Sequence, residues 1–295
     1  MTSDHGQTRG TINVEDAEIL SHQSLAAEQY LLRLQAPRTA AAAQPGNFIH
    51  LSCDPQLPMR RPMSIMRCSP DQGWLDILYK VHGRGTRLLA RRCQGEILNL
   101  LGPIGVPFRP GGYRKRPLLI GGGVGIPPMV FLAEYLKRNI PNLLPLAIMG
   151  SEIPFPFNAR PSQIMVSGIP EGVIACMPLL DDWGIASRLC SLRDYAGCYA
   201  GYVTDLARYW LDHLPGTARD EVEIFSCGPT PMLQAVAALA REYGLPCQVS
   251  VEEYMACGVG GCAGCTIRVE TETGPAMKRV CVDGPVFEAA SVFPD

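Results

Sequence analysis

Three cysteines on one short loop constrain this chain more than anything else in it. Cys257, Cys262 and Cys265 follow the spacing C-x4-C-x2-C, and Cys281 stands sixteen positions beyond the third. That spacing suits a [2Fe-2S] cluster whose fourth thiolate arrives from a more distant strand. Such a loop must curl round a compact inorganic core and aim backbone N–H groups at its sulfides. Gly258, Gly260, Gly261 and Gly264, with the small Ala263, permit that curl and close approach. Two irons and two sulfides exchange one electron at a time, so the loop implies an electron route rather than hydrolysis. Structural zinc is the bland alternative, because zinc also takes four thiolates. It is usually held by two short knuckles, though, not by three cysteines on one loop. Cys53, Cys68, Cys93, Cys176, Cys190, Cys198 and Cys247 occur singly and read as small buried hydrophobes.

Composition narrows the remaining classes. The chain has 295 residues, 47% of them hydrophobic and only 18% charged, which excludes a disordered chain and allows two domains of ordinary size. Lys and Arg total 26 against 28 for Asp and Glu, a formal charge of -2, and no basic patch stands out. A nucleic-acid binder is therefore not expected, and the cysteines lack finger spacing. No apolar run is long enough for a membrane span. The polar start, MTSDHGQTRG, reads as neither a signal peptide nor a convincing anchor. Twelve cysteines in a chain this large suggest reduced thiols and a cytoplasmic location rather than a secreted disulfide scaffold.

Residues 1–10 read as a disordered lead. From Thr11 to about Leu101 the pattern is of short strands and turns: Ile49, Leu51 and Cys53 alternate, as do Leu75, Ile77, Tyr79 and Val81, with turn material at Gln44–Gly46 and Asp71–Gly73. This predicts a small antiparallel closed or sandwiched unit, with one helix near Gly85–Arg92. A polar hinge, Arg109–Arg116, then introduces a different pattern. An apolar strand, Pro117–Ile120, runs into Gly121-Gly122-Gly123-Val124-Gly125, a helix over about Pro128–Arg138 and a second strand over Asn142–Met149. A later strand, Glu221–Phe225, leads through Cys227-Gly228-Pro229 into a helix over Thr230–Glu242. Strand, glycine turn, helix, strand is the pattern of a parallel α/β sheet. Residues 150–200 are less legible. Pro154, Pro156 and Pro161 break any early helix, leaving a long loop with a short strand near Val173–Ala175. The third region, 248–295, holds the cysteine loop, a strand over Thr266–Val269 and a turn at Thr273–Pro275.

Gly121, Gly122, Gly123 and Gly125 resemble a dinucleotide turn but depart from G-x-G-x-x-G, because Ile126 takes the place of the last glycine. Alone they fit a nucleotide loop or merely a tight strand-to-helix turn. Backbone donors and the positive helix end would face a pyrophosphate. Cys227, Gly228 and Pro229 again lie between strand and helix, and two strand-end loops on one sheet can wall a single crevice. Cys227 would then sit at its mouth as the candidate catalytic residue, or be a helix-cap neighbour that touches no cofactor.

Arg61-Pro62-Met63-Ser64 resembles the flavin-binding R-P-x-S signature of the ferredoxin reductase superfamily, Gly83-Arg84-Gly85-Thr86 its G-x-G-T phosphate loop, and Cys227-Gly228-Pro229 its nicotinamide-side C-G-P motif. With the cysteine loop behind these and the ending Arg279–Phe287, the chain resembles the electron-transfer subunits of type B dihydroorotate dehydrogenase from about residue 11 to Phe287. The resemblance implies an N-terminal antiparallel β-barrel holding FAD (11–110), a Rossmann-like NAD domain (111–247) and a C-terminal [2Fe-2S] domain (248–295). It places Arg61, Pro62, Met63 and Ser64 at the flavin, Leu78, Tyr79 and Lys80 on the next strand, and Gly85 and Thr86 at the pyrophosphate. It further implies a partner, an FMN-containing dihydroorotate dehydrogenase catalytic subunit, in a heterotetramer of two of each. Met255, Val259, Val286 and Phe287 are candidates for an apolar docking patch, or equally for core. Residues 150–200 are longer and richer in proline than the resemblance implies, and no clear acidic residue ends the second nucleotide strand, although Glu152 is near. NAD rather than NADP is therefore an expectation of the family. The alternative client is another complex, such as a ferredoxin:NADP+ oxidoreductase, a hydrogenase or a sulfide reductase.

Overall fold

Period-two hydrophobicity in the first hundred residues produces seven strands: β1 (Asn13–Leu25), β2 (Gln29–Gln35), β3 (Phe48–Leu51), β4 (Arg61–Ser64), β5 (Arg67–Ser69), β6 (Trp74–Lys80) and β7 (Ile97–Ile104). In the computed structural model, which describes residues 10–111 and 114–294, they form one antiparallel sheet in the order β4-β3-β7-β1-β2-β6-β5. The two edge strands are consecutive in the chain, with only Ile65 and Met66 between them. The sheet must therefore curl until its edges meet. The Ile65 N–H donates to the Asn47 carbonyl at 3.3 Å on one side, and the Met66 N–H to the Asp76 carbonyl at 2.9 Å on the other. This is the expected barrel, and Ile19, Leu32, Ile49, Leu75, Ile77 and Leu100 fill it without solvent exposure. Two short helices attach to it, α1 (Pro37–Ala42) and α2 (Gly83–Leu89). Strand β3 departs from alternation, because all four of its residues are buried.

After the hinge, of which Gly112 and Tyr113 lie outside the described residues, as does 1–9 of the expected disordered lead, the period changes to that of an α/β fold. Strand β8 (Arg116–Gly122) is followed by α3 (Ile126–Asn139), β9 (Leu146–Gly150), the two-residue strands β10 (Arg160–Pro161) and β11 (Ala175–Cys176), α4 (Pro178–Asp182), β12 (Ala186–Ser191), β13 (Tyr199–Ala200), α5 (Val203–His213), α6 (Gly216–Arg219), β14 (Val222–Cys227), α7 (Thr230–Tyr243) and β15 (Cys247–Ser250). Six strands of the resulting sheet run in the order β13-β12-β9-β8-β14-β15. The chain leaves β8 toward β9 on one side and returns to β14 on the other, so the strand order reverses between β8 and β14. In open parallel sheets that reversal opens a crevice at the carboxyl ends of the strands. Both glycine motifs lie there.

Residues 150–200 hold more structure than the sequence reading gives them. Strand β12 is absent from that reading, and it is a central member of the sheet, parallel to β9. Its sequence hides it. Ser187, Arg188 and Ser191 interrupt the apolar run, yet each is buried. Most of their polar groups find local partners: the Arg188 guanidinium donates through its two Nη atoms to the carbonyls of Ser187 at 2.7 Å and Ile164 at 2.8 Å, and the Ser187 hydroxyl accepts the Met177 N–H at 3.0 Å.

The cysteine segment contributes the hairpin β16 (Thr266–Thr271) and β17 (Gly274–Arg279). By its contacts Ser250–Phe287 groups with the barrel as one unit, while Arg109–Val249 and the residues from Glu288 onward form the other. Among the described residues no helix is long and apolar enough to cross a membrane. Ile77 tests the barrel core. Its change to Ala should cost about 2–5 kcal/mol in a denaturant titration, and a loss below about 0.5 kcal/mol would remove it from the load of the core.

Candidate functional site

In the barrel unit, strand β4 carries the R-P-x-S residues, and β3 pairs with it, Phe48 opposite Ser64 and Leu51 opposite Arg61. Met63 is buried, while Arg61, Pro62 and Ser64 are half-buried. The Arg61 guanidinium gives Nη1 to the carbonyls of Met59 and Arg60, both at 3.0 Å, and lays its Nε edge over Gly85. A Cβ at Gly85 would lie 2.8 Å from Arg61 Nε. The R-P-x-S and G-x-G-T motifs, more than twenty residues apart in sequence, thus meet at one point. Thr86 is buried beside them, its hydroxyl accepting the His82 N–H at 2.7 Å and donating to the His82 carbonyl at 2.9 Å. This ring fixes the first turn of α2.

On β6, Leu78 is half-buried, Tyr79 buried and Lys80 exposed. The Tyr79 ring stacks on Tyr30 at 5.4 Å, and its hydroxyl meets His22 Nε2 at 2.9 Å. Burial, with Tyr30 and Cys53 nearby, pushes the Tyr79 phenol well above its usual range, so it remains protonated. Sequence reasoning missed Tyr30 and His22, which lie on neighbouring strands and carry no motif. Arg60, the residue before β4, donates its guanidinium to the Asn99 carbonyl at 2.8 Å and bonds the Asn99 side chain, tying the start of β4 to β7.

In the α/β unit the two glycine motifs come together. Cys227 lies opposite Gly121 in the parallel register of β14 and β8. A Cβ at Gly125 would lie 2.0 Å from the Cys227 carbonyl oxygen, and one at Gly122 would lie 2.4 Å from Met232 Sδ. Gly123 has φ +55°, a conformation glycine adopts freely. Pro229 caps α7, and Gly228 packs against the same Met232. Cys227 is only 1% exposed and Gly228 is also buried, so the expected sulfur at the mouth of a crevice is closed off from solvent, and Pro229 is the exposed residue of the motif.

The cysteine loop, Cys257–Cys265, has no regular secondary structure. Cys265 Sγ lies 3.3 Å from Cys281 Sγ, and the Cys262 N–H donates to Cys257 Sγ at 3.4 Å. The Gly264 N–H donates to Cys262 Sγ at 3.4 Å. Burial pushes the Cys257 thiol up, but N–H groups of Val259, Cys262 and Gly261, with the Cys262 thiol, outweigh it and bring Cys257 down to about 7. Cys281 is pushed up to about 12 by burial and by the Cys265 thiol. Among the described residues no three or more His, Cys, Asp or Glu side chains gather as a single-ion site would require. The thiols stand as two pairs, Cys257 with Cys262 and Cys265 with Cys281, an arrangement that could offer two thiolates to each iron of a two-iron core.

The glycines of the loop divide into two kinds. Gly258 has φ +68° and would drive a Cβ to 2.7 Å from His50 Nδ1, and Gly260 has φ +78° and would meet Val282 at 2.8 Å. The fold demands both. Among the described residues and apart from its chain neighbours, nothing lies within 4 Å of a Cβ at Gly261, and a Cβ at Gly264 would meet Cys262 Sγ at 3.5 Å. Protein packing therefore leaves both with room for a bound group beside the sulfurs.

His50 was also missed, a histidine inside an apolar strand with no motif to mark it. It is fully buried beside the loop, and neither ring nitrogen has a hydrogen-bond partner of good geometry among the described residues. Burial, then the Arg60 and Arg61 cations, lowers its pKa, so the ring is neutral. Of the expected apolar patch, Val259 is 47% exposed, but Val286 is buried against Gly46.

Comparison with known proteins follows the same division. The family described as the iron-sulfur cluster binding domain of dihydroorotate dehydrogenase B matches residues 252–293. The dihydroorotate dehydrogenase B (NAD(+)) electron transfer subunit of Geobacillus thermodenitrificans is 34% identical over 292 residues, covering 95% of this chain and 99% of the relative. That of Caldanaerobacter subterraneus subsp. tengcongensis is 30% identical over 278 residues, covering 94% and 97%. Among solved structures, a chain of NADH-dependent reduced ferredoxin-NADP oxidoreductase superposes with a TM-score of 0.74 at 25% identity, over 94% of this chain and 89% of that one. Phthalate dioxygenase reductase shares the fold, with a TM-score of 0.56 at 15% identity over 90% and 76%.

Gly125 gives a direct check of the meeting of the two glycine motifs. Gly125→Ala must displace the backbone at Cys227, and should lower unfolding stability by about 1–3 kcal/mol. Unchanged stability in thermal and denaturant unfolding would mean that the two strand ends do not touch.

Proposed function

The chain belongs to the family of electron-transfer subunits of dihydroorotate dehydrogenase B, and we propose that it passes electrons between an FMN-bearing dihydroorotate dehydrogenase subunit and NAD+ through a [2Fe-2S] cluster and FAD, in pyrimidine biosynthesis. One observation carries this reading. In a single unit, paired thiols on a loop lined with N–H donors pack on β3, the strand that pairs with β4 and its Arg61. Flavin, when bound, supplies the conversion between two-electron exchange with nicotinamide and one-electron exchange with the cluster.

The chain's own residues divide the remaining work. Arg61 presents a rigid cationic fork to the flavin or its phosphates, with Pro62, Met63 and Ser64 shaping the strand beneath it. Leu78, Tyr79 and Lys80 line the neighbouring strand, and Gly85 and Thr86 open the first turn of α2 to the pyrophosphate. Gly121, Gly122, Gly123 and Gly125 would receive the NAD pyrophosphate, and Cys227, Gly228 and Pro229 would border the nicotinamide. Cys257, Cys262, Cys265 and Cys281 would hold the cluster. The partner supplies the pyrimidine chemistry, in a heterotetramer of two subunits of each kind. Cysteine usage that reads as reduced thiols rather than a disulfide scaffold suits the cytoplasm.

Arg61→Ala should weaken FAD binding about tenfold or more while leaving iron in place, since a charge-assisted hydrogen bond is worth about 1.5–3 kcal/mol. Titration of flavin-free protein with FAD measures it, and unchanged affinity would make Arg61 a surface cation. The functional test uses the partner. The chain alone should reduce dyes with NADH but leave dihydroorotate untouched, and with the cognate FMN subunit it should couple dihydroorotate oxidation to NADH formation. Cys262→Ser should abolish the coupled reaction and spare the NADH-to-dye reaction. Failure of the cognate pair to associate and couple would point to a different client complex.

A further inference from the structure

The residues on either side of the fourth cysteine form a clamp that the reaction scheme leaves unused. Arg279 and Asp283 flank Cys281 at two positions' distance each, and both the backbone and the side chains close the turn. The Asp283 N–H donates to the Arg279 carbonyl at 2.8 Å, and the Arg279 N–H donates to Asp283 Oδ2 at 2.7 Å. Arg279 Nε reaches the same oxygen at 3.1 Å, and Nη2 reaches Oδ1 at 3.4 Å. The remaining arm, Nη1, donates to the Gly260 carbonyl at 3.1 Å, midway along the loop that carries the other three cysteines. The next residue ties the turn down again, the Val280 N–H donating to the Cys265 carbonyl at 2.9 Å. The Asp283 side chain is 7% exposed and that of Arg279 is 36%. One guanidinium therefore cross-links the loop to the turn of the fourth thiol, and its charge acts on the sulfurs of both Cys265 and Cys281.

We propose that Arg279 and Asp283 are positioning residues that fix the fourth cysteine against the loop and set the reduction potential of the cluster through their paired charges. The physical basis is simple. Reduction adds one negative charge, so a nearby cation favours the reduced form and a nearby anion the oxidised form. Together the two charges nearly cancel, and removing either leaves the other uncompensated. A purely structural clamp would alter stability or iron content in the same direction for both variants. A charge-setting clamp moves the potential in opposite directions.

The inference rests on the two-iron reading of the loop, and its test separates the two. Redox titration of the purified full chain, followed by the low-temperature electron paramagnetic resonance signal of the reduced cluster, would compare the parent with Arg279→Gln, Arg279→Lys and Asp283→Asn. At the parent's midpoint, Arg279→Gln should lower the ratio of reduced to oxidised cluster about fivefold, or about 40 mV at 59 mV per tenfold for one electron. Asp283→Asn should raise the ratio by a similar factor, and Arg279→Lys should keep it within about twofold while broadening the signal, because the charge stays and the fork is lost. If Arg279→Gln fails to retain iron, the isosteric Asp283→Asn decides alone. Shifts of the same sign, or no shift in Asp283→Asn, overturn the inference and leave the cluster reading intact. A parent without any iron–sulfur signal overturns the reading beneath it.

Discussion

The docking of the cysteine segment on the barrel is the interaction on which the rest of this structure depends. Gly258 lies against His50 of β3, so closely that a single methyl group would collide with the imidazole. Further along, the Val251 N–H donates to the Pro285 carbonyl at 2.9 Å, the Val106 N–H donates to the Gly284 carbonyl, and Gly105 packs on the Pro285 ring. These contacts explain why β3 is buried on both faces and why Ser250–Phe287 groups with the barrel. The flavin motif and the cysteine loop thereby become parts of one body. Short-range electron exchange needs that rigidity more than it needs any particular side chain.

Legibility in the sequence followed the strength of the local constraint. The alternating stretches at 49–53 and 75–81, the two glycine turns and the helices at Ile126–Asn139 and Thr230–Tyr243 could be read because apolar spacing and glycine placement mark them locally, even though β3 is buried at every position. The cysteine loop could be read because ligation restricts spacing far more tightly than packing does. Strand β12 could not, since Ser187 and Arg188 are buried through hydrogen bonds that only the fold reveals. The grouping of the cysteine segment with the barrel was also hidden, because it depends on contacts between residues about two hundred positions apart. His50 and Arg279 belong to the same class, side chains whose role comes entirely from their neighbours.

The two kinds of glycine carry a more general lesson. Gly125 and Gly258 are fixed by protein atoms a Cβ would strike, and Gly123 by a positive φ. Gly261 meets neither condition, yet its N–H helps to hold the Cys257 thiol low. Gly261 thus leaves room beside the sulfurs that the proposed cluster would use. The proposed two-iron core accounts for the pairing of the four thiols, with two thiolates for each metal centre.

That identification of the group has a direct measurement. Purified protein should be analysed for iron, acid-labile sulfide, zinc and extracted FAD per chain. The account predicts about two irons, two sulfides and one FAD, with zinc absent. One zinc per chain with no sulfide would contradict it.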